Sequence, residues 1–225
     1  MQRRLVPELL DLLPPDDPRA ILSRRDLALI NTIMRQSAIM AGALARLPLP
    51  RVLADLGSGD GRFLLSVAKR LARQWPGVTV LICDQQDIVS DRTRAAFAAL
   101  GWRCEVRRGD IFDTLPDADI ITANLFLHHF EGDALSRLLA LAAVCAPAFV
   151  ACEPRRNNFS LLGARLLWAL GCNDVTRHDA VASVHAGFTG LELAALWPQD
   201  GAARRWQLDE HAVFPFSHLF TAHAL

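Results

Sequence analysis

The sequence predicts a mixed α/β fold, a doubly wound and largely parallel sheet with helices on both faces, and three observations carry that expectation. From Arg51 onward, short apolar runs alternate with amphipathic helical patterns, as repeated strand–helix units require. The first run, Val52 to Leu56, breaks into glycines at alternate positions (Gly57, Gly59 and Gly61) and passes at once into a helical pattern with Phe63, Leu64, Val67, Ala68 and Leu71 on one face. The 225 residues suffice to bury a core as one such domain with an appendage.

Taken in order, residues 1–50 read as a helical appendage to a domain at 51–225. Pro14, Pro15 and Pro18 punctuate it, and Ser23 with Asp26 makes a cap for a following helix. Leu27, Ile30, Met34 and Ala41 then recur at helical spacing, and Pro48 and Pro50 close the segment. Strands are expected near 51–56, 78–83, 103–108, 118–124 and 147–152, with helices near 61–74, 91–100, 132–145 and 158–170. The tail holds two further strand candidates, near 190–196 and near 206–216. Pro215 puts the last of them at an edge or a break.

Composition narrows the function classes. Lys plus Arg equals Asp plus Glu, at 24 each, so no general electrostatic argument favours nucleic acid or an anionic membrane. Basic pairs such as Arg24-Arg25, Arg155-Arg156 and Arg204-Arg205 read as solvated surface. The five cysteines show no C-x-x-C spacing, and most fall in or beside apolar runs where a reduced thiol behaves as a small hydrophobe. A reducing cytoplasm is therefore expected. The first residues lack the sustained apolar stretch of a signal peptide, and no apolar run reaches spanning length.

The glycine turn carries the chemistry. A strand that turns through glycines into a helix lets backbone N–H groups approach a bound molecule closely. A dinucleotide fingerprint places its glycines at relative positions one, three and six, but here Arg62 holds the sixth position. Asp55, two residues before the first glycine, suits a diphosphate poorly and a cofactor bearing an ammonium and a sulfonium well. The stretch 53–61 resembles motif I of the class I S-adenosylmethionine-dependent methyltransferases.

That resemblance implies a Rossmann-like sheet over 51–225, ending in an antiparallel hairpin, and a role for each strand end. Asp84, with Gln85 beside it, would hold the ribose hydroxyls; on the residues alone it equally suits an Asx turn. Asp110 would accept from the adenine amine and Ile111 would cover the ring, or the pair is a polar turn with a buried Ile. A carbonyl near Asn124 would receive the cofactor's amino group, and the residues after it, through Phe130, would face the substrate. The phrases Pro7-Glu8-Leu9-Leu10-Asp11, Asp26-Leu27-Ala28-Leu29-Ile30-Asn31, Thr176-Arg177-His178-Asp179-Ala180 and Ala186-Gly187-Phe188 are similar to small bacterial methyltransferases that accompany polyketide-type biosynthesis. This implies O-methylation of a phenolic or polyketide-derived hydroxyl, with residues 1–50 as a lid.

Methyl transfer from a sulfonium depends chiefly on positioning, and a hydroxyl acceptor gains from a base near neutral pKa. His128 and His129 are the candidate bases, and in an extended chain only one of them would face the pocket. No ligand spacing supports a metal, so none is expected. Glu153, at the end of the fifth strand, is a candidate contact to the acceptor. Asn157 or Asn158 would cap the helix after it. His178, in a polar stretch at 173–179, could be oriented as a base by Asp179 or Asp174, or the stretch is a solvated loop. The chain has no tyrosine, so a tyrosyl base is excluded. The expected partner is a small-molecule acceptor, without nucleic acid or membrane, in a monomer or a homodimer. The rival readings are a nicotinamide-dependent oxidoreductase and a cofactor-binding subunit without turnover.

Overall fold

The computed structural model describes residues 1–14, 16–198 and 205–225; Pro15 and Arg204, invoked above, lie outside them. Among the described residues seven strands form one sheet: β1 (Val52–Leu56), β2 (Thr79–Asp84), β3 (Arg103–Arg108), β4 (Ile120–Asn124), β5 (Ala148–Pro154), β6 (Trp206–Val213) and β7 (Ser217–Ala224), in the order β3-β2-β1-β4-β5-β7-β6. The first five are parallel, and β7 runs antiparallel to both β5 and β6. Strands β1, β4 and β5 are apolar along nearly their whole length because helices cover both faces. The chain reverses direction across the sheet between β1 and β4, which opens a crevice at their carboxyl ends.

The helices are α1 (Leu9–Leu12), α2 (Pro18–Ile33), α3 (Gln36–Leu44), α4 (Arg62–Leu71), α5 (Asp91–Ala99), α6 (Ile111–Thr114), α7 (Gly132–Cys145), α8 (Asn158–Arg165), α9 (Asp174–Ala186) and α10 (Glu192–Leu196). One face of the sheet buries Leu53, Leu64, Val67 and Phe97 under α3, α4 and α5. The other buries Ile121, Leu138, Phe149 and Trp197 under α7 and α10. Side-chain caps start several helices: Ser90 accepts from Thr93 N (3.2 Å), Asn157 from Ser160 N (2.6 Å) and Asn173 from Thr176 N (2.7 Å).

Four expectations are corrected. The stretch at 190–196 is helical, not a strand. Leu193 and Trp197 meet the core one turn apart, and the Glu210 carboxylate accepts from Leu193 N (3.1 Å) and Ala194 N (2.7 Å) at the helix start. The hairpin instead joins β6 to β7, with Pro215 in the turn after the chain leaves the β6 ladder. Ser23 and Asp26 lie inside α2, whose cap is Asp17; both reach across to Thr176 at 3.0 Å. The stretch at 173–179 is the start of α9 and not a loop, because Val175 and Thr176 are buried against α2 and α8.

Packing divides the first fifty residues. Arg35, at φ 56°, breaks the helical run, and Met40 and Leu44 of α3 enter the sheet's core beside α4. By contrast, α1 and α2 pack on α9 and roof the crevice.

Candidate active site

The crevice is a cavity of about 780 Å³ between the glycine turn, the ends of β2, β3 and β4, and the roof formed by α1 and α2. Its floor is set by the turn itself. Gly57 has φ 62°, and a Cβ there would drive into the Phe126 ring, so the position requires glycine on both counts. Asp55 lies beneath the turn, where Thr122 Oγ1 (2.7 Å) and Ser58 Oγ (2.8 Å) donate to it. Burial pushes its carboxyl up to about 6 against those hydrogen bonds.

The strand ends complete the wall. Asp84 Oδ2 accepts from Gly59 N (2.8 Å) and Oδ1 from Gln86 N (2.9 Å), so the Asx turn forms and also braces the glycine loop. Gln85 follows at the rim. Asp110 caps α6 by accepting from Phe112 N (2.9 Å), which sets Ile111 against the cavity. Asn124 ends β4, and its side-chain Oδ1 is buried without a hydrogen-bond partner, as is Asn31 Oδ1 from α2. Both residues line the cavity, one from the β4 end and one from the roof, and each such oxygen is a place where a donor group would be received. Gly61, at φ 72°, starts α4 just behind the wall, packed against Ile82.

After Asn124 the chain turns sharply. Leu125 sits at φ 52°, a conformation costing a non-glycine residue roughly 1–2 kcal/mol, and its N–H is held by Cys152 O at 3.0 Å. Leu127–His129 then form a single 3-10 turn instead of extended chain. For that reason both histidines reach the cavity, against the expectation that only one would. Their rings lie 4.4 Å apart, tilted by 31°.

Glu153 holds this turn in place. It is fully buried; Oε1 accepts from Phe126 N (3.0 Å) and Leu127 N (2.9 Å), and Oε2 meets His128 Nδ1 at 2.8 Å. Its side chain does not line the cavity and is spent on this turn, which corrects its assignment as a substrate contact. The other ring nitrogen, His128 Nε2, faces Glu8 Oε1 at 3.2 Å, and Glu8 is also bonded by the Ser183 hydroxyl.

Burial alone would lower the pKa of His128, but hydrogen bonds and charge from Glu153 and Glu8 outweigh it and raise the ring to about 9. Glu8 is correspondingly held at about 2 despite its burial. His129 goes the other way, lowered by burial and by the positive His128 beside it. Its 3.4 Å approach to Asp11 does not rescue the charge, since burial raises the Asp11 carboxyl too. The site therefore pairs an imidazolium with a neutral imidazole.

His178 is not brought to the cavity: its Nδ1 lies 2.9 Å from Asp179 Oδ1, and the ring stands outward on α9. Asp179 instead accepts from the backbone N–H groups of Leu9 (2.8 Å) and Leu10 (3.0 Å), fixing α1 over the histidines. Glu8 and Asn31 fall in phrases that resemble the family but carried no role there, and Ser183 had no local signal, because each joins the site through contacts between distant segments. The ligand atoms of Glu8, His128 and His129 lie within 4.8 Å of one another, a metal-like grouping that no sequence spacing foretold. Both His128 ring nitrogens already face carboxylates, however, Nδ1 that of Glu153 and Nε2 that of Glu8, so the ring is committed to hydrogen bonds.

A family model described as an O-methyltransferase domain matches residues 16–148. Searching curated proteins finds no match. Among solved structures, an O-methyltransferase family protein from Burkholderia thailandensis superposes with TM-score 0.56 at 22% identity, covering 93% of this chain and 60% of that one. Mitomycin 7-O-methyltransferase MmcR gives 0.59 at 21% identity, with 96% and 60% covered. The plantazolicin methyltransferase BamL, solved with SAH and a triazolic desmethylPZN analog, gives 0.64 at 11% identity, with 96% and 92% covered. The chain thus spans three fifths of the length of the first two structures and nearly all of the third.

Proposed function

As a member of the O-methyltransferase domain family, this chain is, we propose, an enzyme that carries a methyl group from S-adenosylmethionine to a hydroxyl of a small organic acceptor, phenolic or polyketide-derived. The observation that carries the reading is the single cavity in which the glycine turn, Asp84, Asp110 and Asn124 meet His128 and Glu8. The residues fit the cofactor. Gly59, at φ 55° with open space where a Cβ would stand, lets the loop backbone approach a ligand, Asp84 stands at the β2 end to take the ribose hydroxyls, and Asp110 with Ile111 suits the adenine. The main-chain carbonyl of Asn124 suits the ammonium, and its unpartnered Oδ1 marks the same corner as short of a donor. Asp55 adds a buried carboxylate below that corner. When bound, the cofactor supplies an electrophilic methyl group for an in-line displacement.

The chain's own residues then orient the acceptor and take its proton. His128 is an imidazolium while Glu8 and Glu153 flank it, and so it is not yet a base. It becomes one when the acceptor hydroxyl displaces Glu8 from Nε2: without that carboxylate beside it the ring's pKa falls, the Nε2 proton leaves to solvent, and the neutral imidazole can take the hydroxyl's proton. Glu153 keeps the ring oriented through Nδ1 throughout. His129, neutral and 4.4 Å away between ring centres, supports the reading as a second wall of the acceptor site.

The test is transfer of labelled methyl from S-adenosylmethionine to a panel of phenols and hydroxylated polyketide-like compounds. His128→Ala should lose roughly 10²–10⁴-fold in turnover on any acceptor found, while binding of S-adenosylhomocysteine is kept. An acceptor that His128→Ala methylates at the wild-type rate would remove His128 from the chemistry.

A further inference from the structure

A second cavity, of about 370 Å³, adjoins the first and shares with it Glu8, Leu10, Leu27, Leu125 and Ser183. It lies between α2, α8, α9 and the 3-10 turn Leu166–Leu170. Its walls are aliphatic (Ile30, Met34, Ala164, Leu167 and Val184 among them), and Phe216 is the one aromatic ring, so it offers no platform for stacking a polycycle. The polar groups at its margin are mostly committed elsewhere. Ser23 and Thr176 bond each other, Asp179 holds the α1 backbone, and Glu8 is taken by His128 and Ser183. Ser160 Oγ is the exception, buried and unpartnered. A ligand group seated here would find apolar contact and almost no compensation for a polar substituent.

The apolar lining also continues to the surface. Leu166 and Leu170 line the cavity and are about half exposed, and Leu162 and Trp168 stand exposed on the same segment. A chain longer than the cavity would leave it along apolar surface. We infer that the acceptor carries an alkyl chain, seated in this second cavity, with its hydroxylated head at the shared wall beside Glu8 and His128. The inference rests on the methyltransferase reading of the first cavity, whereas chain binding is measured independently of turnover.

The experiment titrates a series of para-alkylphenols, from ethyl to octyl and below their micelle concentrations, into the protein saturated with S-adenosylhomocysteine. Affinity should rise with chain length, by up to about fourfold per methylene while the cavity fills. Ala180→Phe fills the cavity from α9 and should flatten the series while leaving S-adenosylhomocysteine affinity unchanged; Ala164→Phe does the same from α8 should the first variant fail to fold. An affinity independent of chain length, or a rise that survives a folded cavity-filling variant, overturns the alkyl-chain assignment even where S-adenosylhomocysteine binds well. Loss of S-adenosylhomocysteine binding with the chain-length series intact would instead overturn the methyltransferase reading and leave this cavity's ligand standing.

Discussion

Replacing Glu8 with Gln removes one of the two carboxylates that charge His128 while keeping the side chain's shape. His128 is raised from 6.5 to about 9 with its ring buried, a difference worth about 3 kcal/mol between its protonation states, and Glu8 and Glu153 share that effect. A group whose folded pKa is raised contributes stability that is complete below its unfolded pKa and lost as pH rises through the folded value. The wild type should therefore lose about 3 kcal/mol of unfolding free energy between pH 6.5 and 9 on account of His128. The lowered pKa of Glu8 expresses the same interaction from the other partner and is not added to it. In Glu8→Gln the ring should titrate at least one pH unit lower, and the loss over that window should shrink by at least about 1.4 kcal/mol. Proton-detected NMR titration of the imidazole, with urea unfolding at both ends of the window, measures the two quantities. An unchanged midpoint and an unchanged slope would mean that Glu8 does not charge His128, and the proposed release of the ring as a base on displacing Glu8 would fall.

Three further outcomes are expected. Gly57→Ala should cost about 1–2 kcal/mol from the left-handed backbone alone, about 2–8 °C in Tm, and should weaken S-adenosylhomocysteine binding because Phe126 must move; a thermal melt and calorimetry read both. Glu153→Ala leaves three backbone N–H groups and the buried Nδ1 of His128 unpaired and should destabilise by roughly 3–5 kcal/mol in urea melts. Glu153→Gln should fold and show a lower His128 pKa by the same NMR titration. NADH should leave the Tm unmoved while S-adenosylhomocysteine raises it, and the reverse pattern would favour a nicotinamide-dependent oxidoreductase.

What the sequence shows and what it hides divide along contact range. The glycine turn, Asp84 and Asn124 each stand where an apolar run ends, and Asp110 follows the alternating run Cys104-Glu105-Val106-Arg107, so local pattern locates them at strand ends facing one crevice. Glu8 is 120 residues from His128 and 175 from Ser183, and although its phrase resembles the family's, nothing local ties its carboxylate to either partner. The two histidines were legible as residues but not as a pair, because periodicity does not separate a 3-10 turn from extended chain over three residues. The stretch at 190–196 failed in the same way: a short apolar run fits strand or helix, and the Glu210 carboxylate that settles it comes from β6.

The central claim is that the cavity at the glycine turn holds S-adenosylmethionine through Asp84. Calorimetric titration of S-adenosylhomocysteine into the wild type and into Asp84→Ala, with circular dichroism to confirm folding, tests it most directly. One site per chain in the wild type and at least a tenfold loss in the variant are expected, since charge-assisted bonds to two hydroxyls are worth about 1.5–3 kcal/mol each. Equal affinity in the two proteins, or no binding by the wild type, would contradict it.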